Sequence, residues 1–139
     1  MGKIDELAAE AFFEGRNFKR GNTEVKVYLE LDKVWFRELI LHGNTIAIQT
    51  FDNWIYITNG GYRPIDRWGN CLPISVTTKN RLNALGARFG VKIHVSKREA
   101  YLNDTLWDAE HAVAISNIPA RKTRGLQYKA HNHMVTNFE

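Results

Sequence analysis

The sequence is poor in cysteine: Cys71 is the only one in 139 residues. An internal disulfide is therefore excluded, and so is a metal cage built from several thiolates. With no histidine near it in sequence, Cys71 is expected to be a buried or inert thiol. Long apolar runs are missing as well. None approaches the roughly 18 residues that span a bilayer, so no membrane partner is expected. The opening MGKIDELAAEAFFEG scatters acids through its apolar positions and is no secretory signal. Glu6 breaks the myristoylation pattern that Gly2 would begin. A cytoplasmic protein is the expectation. The chain holds no internal repeat, no G-x-S-x-G, no P-loop and no H-E-x-x-H. No motif names a reaction, no cofactor is implied, and the balance leans away from an enzyme.

What is present is an ordinary globular composition, 44% hydrophobic and 24% charged, enough for one core. Net charge is +4 and unevenly placed. Residues 118–139 hold Arg121, Lys122, Arg124 and Lys129 against Glu139 alone. The expectation is a single α+β domain over 1–120 followed by a basic, flexible tail over 121–139. A basic tail gives loose attraction to phosphate or to an acidic protein, without specifying either.

Residues 3–14 place Ile4, Leu7, Ala8, Ala11 and Phe12 at helical spacing that ends before Gly15, with Asp5, Glu6, Glu10 and Glu14 on a solvated face. RNFKRGNT (16–23) reads as a basic connection. EVKVYLEL alternates strictly, Val25, Val27, Leu29 and Leu31 facing inward, and predicts a half-buried strand. A turn at LDK leads to VWFRELIL, then His42-Gly43-Asn44 turns the chain into TIAIQTF, with Gly43 or Asn44 at positive φ. Asp52 and Asn53 make the next turn, into WIYIT. Four strands in succession predict an antiparallel meander.

NGGYRPIDRWGNCLPISV (59–76) has no period and reads as a long functional loop. A helix follows over 77–89, capped by Thr77 or Thr78, with Leu82, Leu85 and Phe89 in one stripe and Gly90 at its end. VKIHVS, the turn KR and EAYLN predict a hairpin, and DTLWDAEHAVAI a short final helix. The fold expected is α+β: an antiparallel β-meander, about six strands in all, with two or three helices packed on one face.

The loop interleaves cations with aromatics, Tyr62, Arg63, Arg67 and Trp68, and feeds the N-terminus of the 77–89 helix. First turns usually carry acids, yet this one carries Lys79 and Arg81, and no carboxylate lies between Asp66 and Glu99. A bound anion would offset that arrangement, with the Thr77 and Thr78 hydroxyls as donors and Arg63 or Arg67 as a clamp. The alternative is a solvated helix end, with Trp68 packed over the sheet edge. The histidines are weaker candidates. His42 sits in a corner, His94 on an outer strand face and His111 in the final helix. His131 and His133 lie in the tail. The letters HNH at 131–133 have no ββα-metal context. Asp104, Asp108 and Glu110 lack a calcium-loop pattern, so no metal site is expected.

The blocks LHGNTIA (41–47), ITNGGY (57–62) and TTKNRLNAL (77–85), with the lead-in GRNFKRGNTEV (15–25), resemble a family of small uncharacterised proteins of short-tailed lytic bacteriophages. The resemblance covers roughly residues 15–62 and 77–90. It implies a phage protein working in the host bacterial cytoplasm and supplies no catalytic residues. Relatives run almost directly from the Gly-Tyr/Trp pair into the Thr-Thr helix, whereas RPIDRWGNCLPISV intervenes here. Arg67 and Trp68 would then stand outside what the family shares; Thr77, Thr78, Lys79, Arg81 and Asn83 would stand within it. The leading expectation is a binding module for nucleic acid or a phosphate-bearing ligand, such as a nucleotide, at the loop–helix junction. The alternative is a host-takeover protein that inhibits a bacterial enzyme through Trp54, Tyr56 and Tyr28 on the outer sheet face. A small nuclease or phosphodiesterase using His42 or His94 ranks third.

Overall fold

The computed structural model describes residues 2–50 and 54–115. The turn expected at Asp52 and Asn53, the 121–139 tail and its two histidines lie outside those residues.

Helix α1 (Lys3–Glu14) forms where expected and buries Ala8, Ala11 and Phe12. It stops because Gly15 takes a left-handed conformation (φ 71°), which lets the Arg16 N–H reach back to the Ala11 carbonyl at 3.0 Å. Arg37 closes the same helix end from the sheet, donating to the Phe12 and Phe13 carbonyls at 2.9 Å each. A cation there also complements the helix dipole. Its burial pulls the Arg37 pKa below the ordinary value. Asp5 departs from the solvated face expected for the acids of α1. It is buried, and only Glu6, Glu10 and Glu14 face water.

The meander is present: β2 (Thr23–Glu30), β3 (Lys33–Leu41), β4 (Asn44–Gln49) and β5 (Ile55–Ile57) pair antiparallel in succession. Two strands extend it beyond the expectation. The connection at 16–23 holds β1 (Phe18–Arg20), and DTLWDAEHAVAI contains no helix. Its first part is β8 (Thr105–Trp107) and its end is β9 (Val113–Ala114), which pairs with β5. The main sheet therefore runs β1-β2-β3-β4-β5-β9. A second sheet holds β6 (Ile93–Ser96), β7 (Glu99–Leu102) and β8. The fold is α+β with two helices, as expected, and the described strands number nine where about six were expected.

Two-residue turns with both φ positive set the strand register: Leu31 and Asp32, His42 and Gly43, Lys97 and Arg98. This is the type I′ geometry that matches strand twist. The corner at 42–44 is thus shifted from the expectation by one position. His42 shares the positive φ with Gly43, and Asn44 already belongs to β4. The alternation in β2 holds only as far as the sheet covers it. Val25 is buried, but Leu29 is exposed, and Leu31, in the turn, is 91% exposed.

Helix α2 (Val76–Gly86) packs against α1 and the sheet and continues into a 3₁₀ turn, Ala87–Phe89, that ends at Gly90. Its cap is Ser75, whose Oγ accepts from the Thr78 N–H at 3.0 Å, and not Thr77 or Thr78. Leu82, Leu85 and Phe89 enter the core with Phe12 of α1, Leu39 and Ile57 of the main sheet, and Ile93 and Trp107 of the second. The helices and both sheets thus share one apolar cluster. Among the described residues, no helix is long and apolar enough to cross a membrane.

Candidate functional site

Asn59 is the hub of the region between the meander and α2. It is fully buried, and every bond it makes is internal. Its N–H donates to the Ala109 carbonyl at 2.8 Å and its Nδ2 to the Pro73 carbonyl at 2.9 Å. Its Oδ1 accepts from the Gly61 N–H at 2.8 Å. Gly60 next to it lies so close to β4 that a Cβ there would sit 3.0 Å from Ile46 Cγ2 and 3.2 Å from Asn44 Cβ. The NGG corner is thereby seated on the start of β4, and the chain beyond Pro73 is aimed into the cap of α2.

These constraints leave a cleft of about 390 Å³ with Leu41, Ile46 and Asn59 at its base. Its walls are His42 and Asn44 from the β3–β4 corner, Tyr62 from the loop, and Ser75, Thr77 and Thr78 from the start of α2. The size falls within the usual range for small-ligand sites. Each of the three sequence blocks LHGNTIA, ITNGGY and TTKNRLNAL contributes a wall. Ser75 serves the first turn by capping Thr78, and its Oγ also donates to Thr78 Oγ1 at 2.8 Å. The N–H groups of Val76 and Thr77, first and second in the helix, have no acceptor among the described residues. The Thr77 side chain is exposed. No carboxylate lines this cleft. Two other depressions differ: one of about 220 Å³ holds Glu99, Asp108 and Glu110, and a groove of about 500 Å³ holds Glu6, Glu10 and Glu14.

The structure thus brings together Tyr62, Thr77 and Thr78 and separates the other residues proposed from the sequence. Arg63 turns to the 220 Å³ depression, where it lies 3.5 Å from Glu110 and donates to the Leu72 carbonyl at 3.4 Å. Arg67 and Trp68 stand together at the end of a projecting loop, the guanidinium 5.1 Å from the indole centroid. Trp68 is exposed and not packed on the sheet edge. Lys79 is half-buried and fourth in the helix. Arg81, sixth, lies in the second turn, where its guanidinium pairs with Asp5 and its Nε donates to Thr23 Oγ1 at 3.0 Å. Asn83 is likewise committed. Its Oδ1 accepts from the Ile93 N–H at 2.7 Å and its Nδ2 donates to the Ile93 carbonyl at 3.2 Å, pinning β6 to α2.

His42 and Asn44, taken from the sequence as turn residues, are the wall that reading missed; the signal for them was the co-occurrence of three separated polar blocks. His94 stacks on Tyr101, centroids 5.2 Å apart, and its Nε2 lies 2.7 Å from the Asn103 carbonyl. His111, expected in a final helix, sits in a turn, with Nδ1 2.9 Å from Asp108 Oδ2. Of the buried or inert thiol expected at Cys71, the burial does not hold, because the side chain is exposed. Among the described residues, no group of three or more His, Cys, Asp or Glu is placed to hold a metal ion.

No curated protein and no solved structure matches the chain. A protein-family model described as Kyanoviridae Gp96 protein matches residues 1–117, which span the whole described fold and the cleft, and the chain belongs to this family of cyanophage proteins.

Proposed function

We propose that the chain is a non-enzymatic phage protein, acting in the host cytoplasm, that binds a phosphate-bearing ligand in the cleft between His42, Tyr62 and the start of α2. The ligand class is a nucleotide or a stretch of nucleic acid. One observation carries the reading: a ligand-sized cleft free of carboxylates is walled by the start of α2, whose Val76 and Thr77 N–H groups have no acceptor among the described residues. Such N–H groups bear partial positive charge and suit phosphate oxygens. The Thr77 hydroxyl and the His42 ring add donors, and the Tyr62 ring offers a face for a base.

Thr77→Glu tests this cleanly. A carboxylate in the first helical turn stabilises the helix by a few tenths of a kcal/mol, so the fold is kept. It also puts a negative charge where the phosphate would sit, a repulsion of about 1–4 kcal/mol at contact distance. Titration calorimetry with nucleoside mono- and triphosphates at low salt should show binding to the parent and at least about tenfold weaker binding to the variant. Binding to Thr77→Glu as tight as to the parent would sink the proposal, as would a nucleotide panel that leaves the parent's melting temperature unmoved.

A second reading, a surface for a host protein, is favoured by the β2–β3 hairpin end. Leu29, Leu31 and Val34 are exposed there, and Tyr28 stacks on Phe36 with centroids 4.2 Å apart. Tyr56 and Trp54 are half-buried, which moves the emphasis from the sheet centre to the hairpin. Salt separates the two readings, because phosphate binding weakens with ionic strength and an apolar interface barely responds.

A further inference from the structure

Residues 64–72 form a finger that lies in chain order between Tyr62 and Ser75, two residues of the cleft wall. Its stem closes where the Leu72 N–H donates to the Pro64 carbonyl at 2.8 Å, and Ile65 bridges Cys71. Asp66 then ties the tip. Its N–H donates to the Asn70 carbonyl at 2.9 Å, and its own carbonyl accepts from Gly69 at 3.1 Å. Its Oδ1 accepts from the N–H groups of both Trp68 and Asn70, each at 2.9 Å. Those donors hold the Asp66 carboxyl below its usual pKa. The backbone of the tip is therefore fixed, yet its side chains bury little: Ile65 and Arg67 are exposed and Trp68 is 75% exposed. Fixing a loop costs conformational entropy, and a tryptophan held in water returns almost none of it. The arrangement gains its reward only when something covers the indole.

The surroundings select what that is. Arg67 already stands over the indole at 5.1 Å, which favours a flat π-system on the ring's other face. The finger begins two residues after Tyr62 and ends three before Ser75, so it springs from the rim of the cleft. The carboxylates near the finger are engaged, Asp66 by the N–H groups of the tip and Glu110 by Arg63. A polymer with a phosphate in the cleft would pass the finger with its neighbouring bases at hand.

We propose that the finger is a stacking platform for single-stranded nucleic acid, with one base on the free face of Trp68. This rests on the cleft reading and narrows its ligand from a nucleotide to a strand. Stacking is indifferent to base identity, so the preference is for unpaired over paired strands and not for a sequence.

The test uses the full chain, a short oligo-dT strand, the corresponding duplex and thymidine monophosphate, with the variants Trp68→Ala, Trp68→Phe and Thr77→Glu. Because Trp68 is exposed, none of its variants should lower the melting temperature. Trp68→Ala is expected to weaken oligo-dT binding about tenfold or more, Trp68→Phe to recover most of it, and neither to alter binding of the monophosphate. If Trp68→Ala holds oligo-dT like the parent, or weakens the duplex equally, the platform is overturned and the tip is left to a protein partner. If the monophosphate binds and oligo-dT binds no tighter, the platform fails while the cleft stands. If oligo-dT binds through Trp68 while Thr77→Glu has no effect, the cleft fails and the platform stands.

Discussion

Changing Asp5 to Ala should do more damage than almost any other single substitution on α1, although the sequence places Asp5 among solvated acids. Asp5 is 3% exposed and pairs with Arg81, whose side chain is 14% exposed. The second carboxylate oxygen accepts from the Gly2 N–H at 2.8 Å, and Arg81 also reaches the buried Thr23 hydroxyl at 3.0 Å. One contact therefore joins α1, α2 and β2. Removing the carboxylate leaves a guanidinium largely out of water with a single hydroxyl for company, which costs about 3–5 kcal/mol. A domain of this size is stable by roughly 5–15 kcal/mol in all, so the loss is a large share. Replacing both partners, Asp5→Ala with Arg81→Leu, should cost much less than the sum of the single changes. The pair's net contribution is small even though breaking it is expensive.

Urea denaturation followed by tryptophan fluorescence reads this directly. With a slope of about 1–3 kcal/mol per molar, Asp5→Ala should lower the midpoint by roughly 1–5 M. A loss under about 1 kcal/mol, or a double variant whose cost equals the sum of the singles, would refute the reasoning. The same contact decides how the proposed ligand site can be tested. Arg81→Glu would set a second carboxylate against Asp5 and unfold the junction, so lost binding in that variant carries no information about the cleft.

Two further outcomes follow from local geometry. Leu31 pays for a left-handed φ of 53° while standing almost wholly in water, so Leu31→Asn with Asp32→Gly should stabilise the chain by about 1 kcal/mol. Calorimetry should show a melting point higher by roughly 4 °C, and an unchanged or lower one refutes the strain. For Asp66, hydrogen bonds from Asn70 and Trp68 lower the pKa, so the charged form belongs to the ordered finger. The finger's order is then complete above the ordinary carboxylate pKa and lost as pH falls through the depressed one. Asp66→Ala should mimic that loss at neutral pH, seen as faster Trp68 fluorescence depolarisation; equal anisotropy in parent and variant would count against the tie.

The strands that could be read in the sequence were those long enough to show a period. EVKVYLEL and VKIHVS alternate over several residues, and the turns beside them carry their own chemistry. Thr105–Trp107 and Val113–Ala114 are too short for any period, so the apolar residues scattered through DTLWDAEHAVAI imitated a helix. The edge strand Phe18–Arg20 is equally short and mostly cationic, which made it look like a linker. The expectation of Thr77 or Thr78 as the cap of α2 passed over Ser75, an equally sound cap by residue type. In the fold Asn59 holds the Pro73 carbonyl two residues before Ser75, and Ser75 Oγ meets the Thr78 N–H.

That two-residue shift changes the grounds for an anion site. With Thr77 as cap, Lys79 and Arg81 would both lie in the first turn and the cations would call for a counter-charge. With Ser75 as cap, Lys79 is fourth in the helix, Arg81 is sixth, and Arg81 answers to an acid 76 residues away. Sequence counts every arginine as available; folding has spent Arg37 on a helix end and Arg81 on the core. Local spacing cannot reveal such long-range commitments. Folding leaves unused, at the start of α2 and in the cleft beside it, two helix N–H groups with no acceptor among the described residues and an exposed threonine and histidine, with no carboxylate in the cleft lining. This makes the stronger case, because a surface cation is solvated wherever it lies. Helix N–H groups, by contrast, point in a fixed direction and need no rearrangement to meet a phosphate.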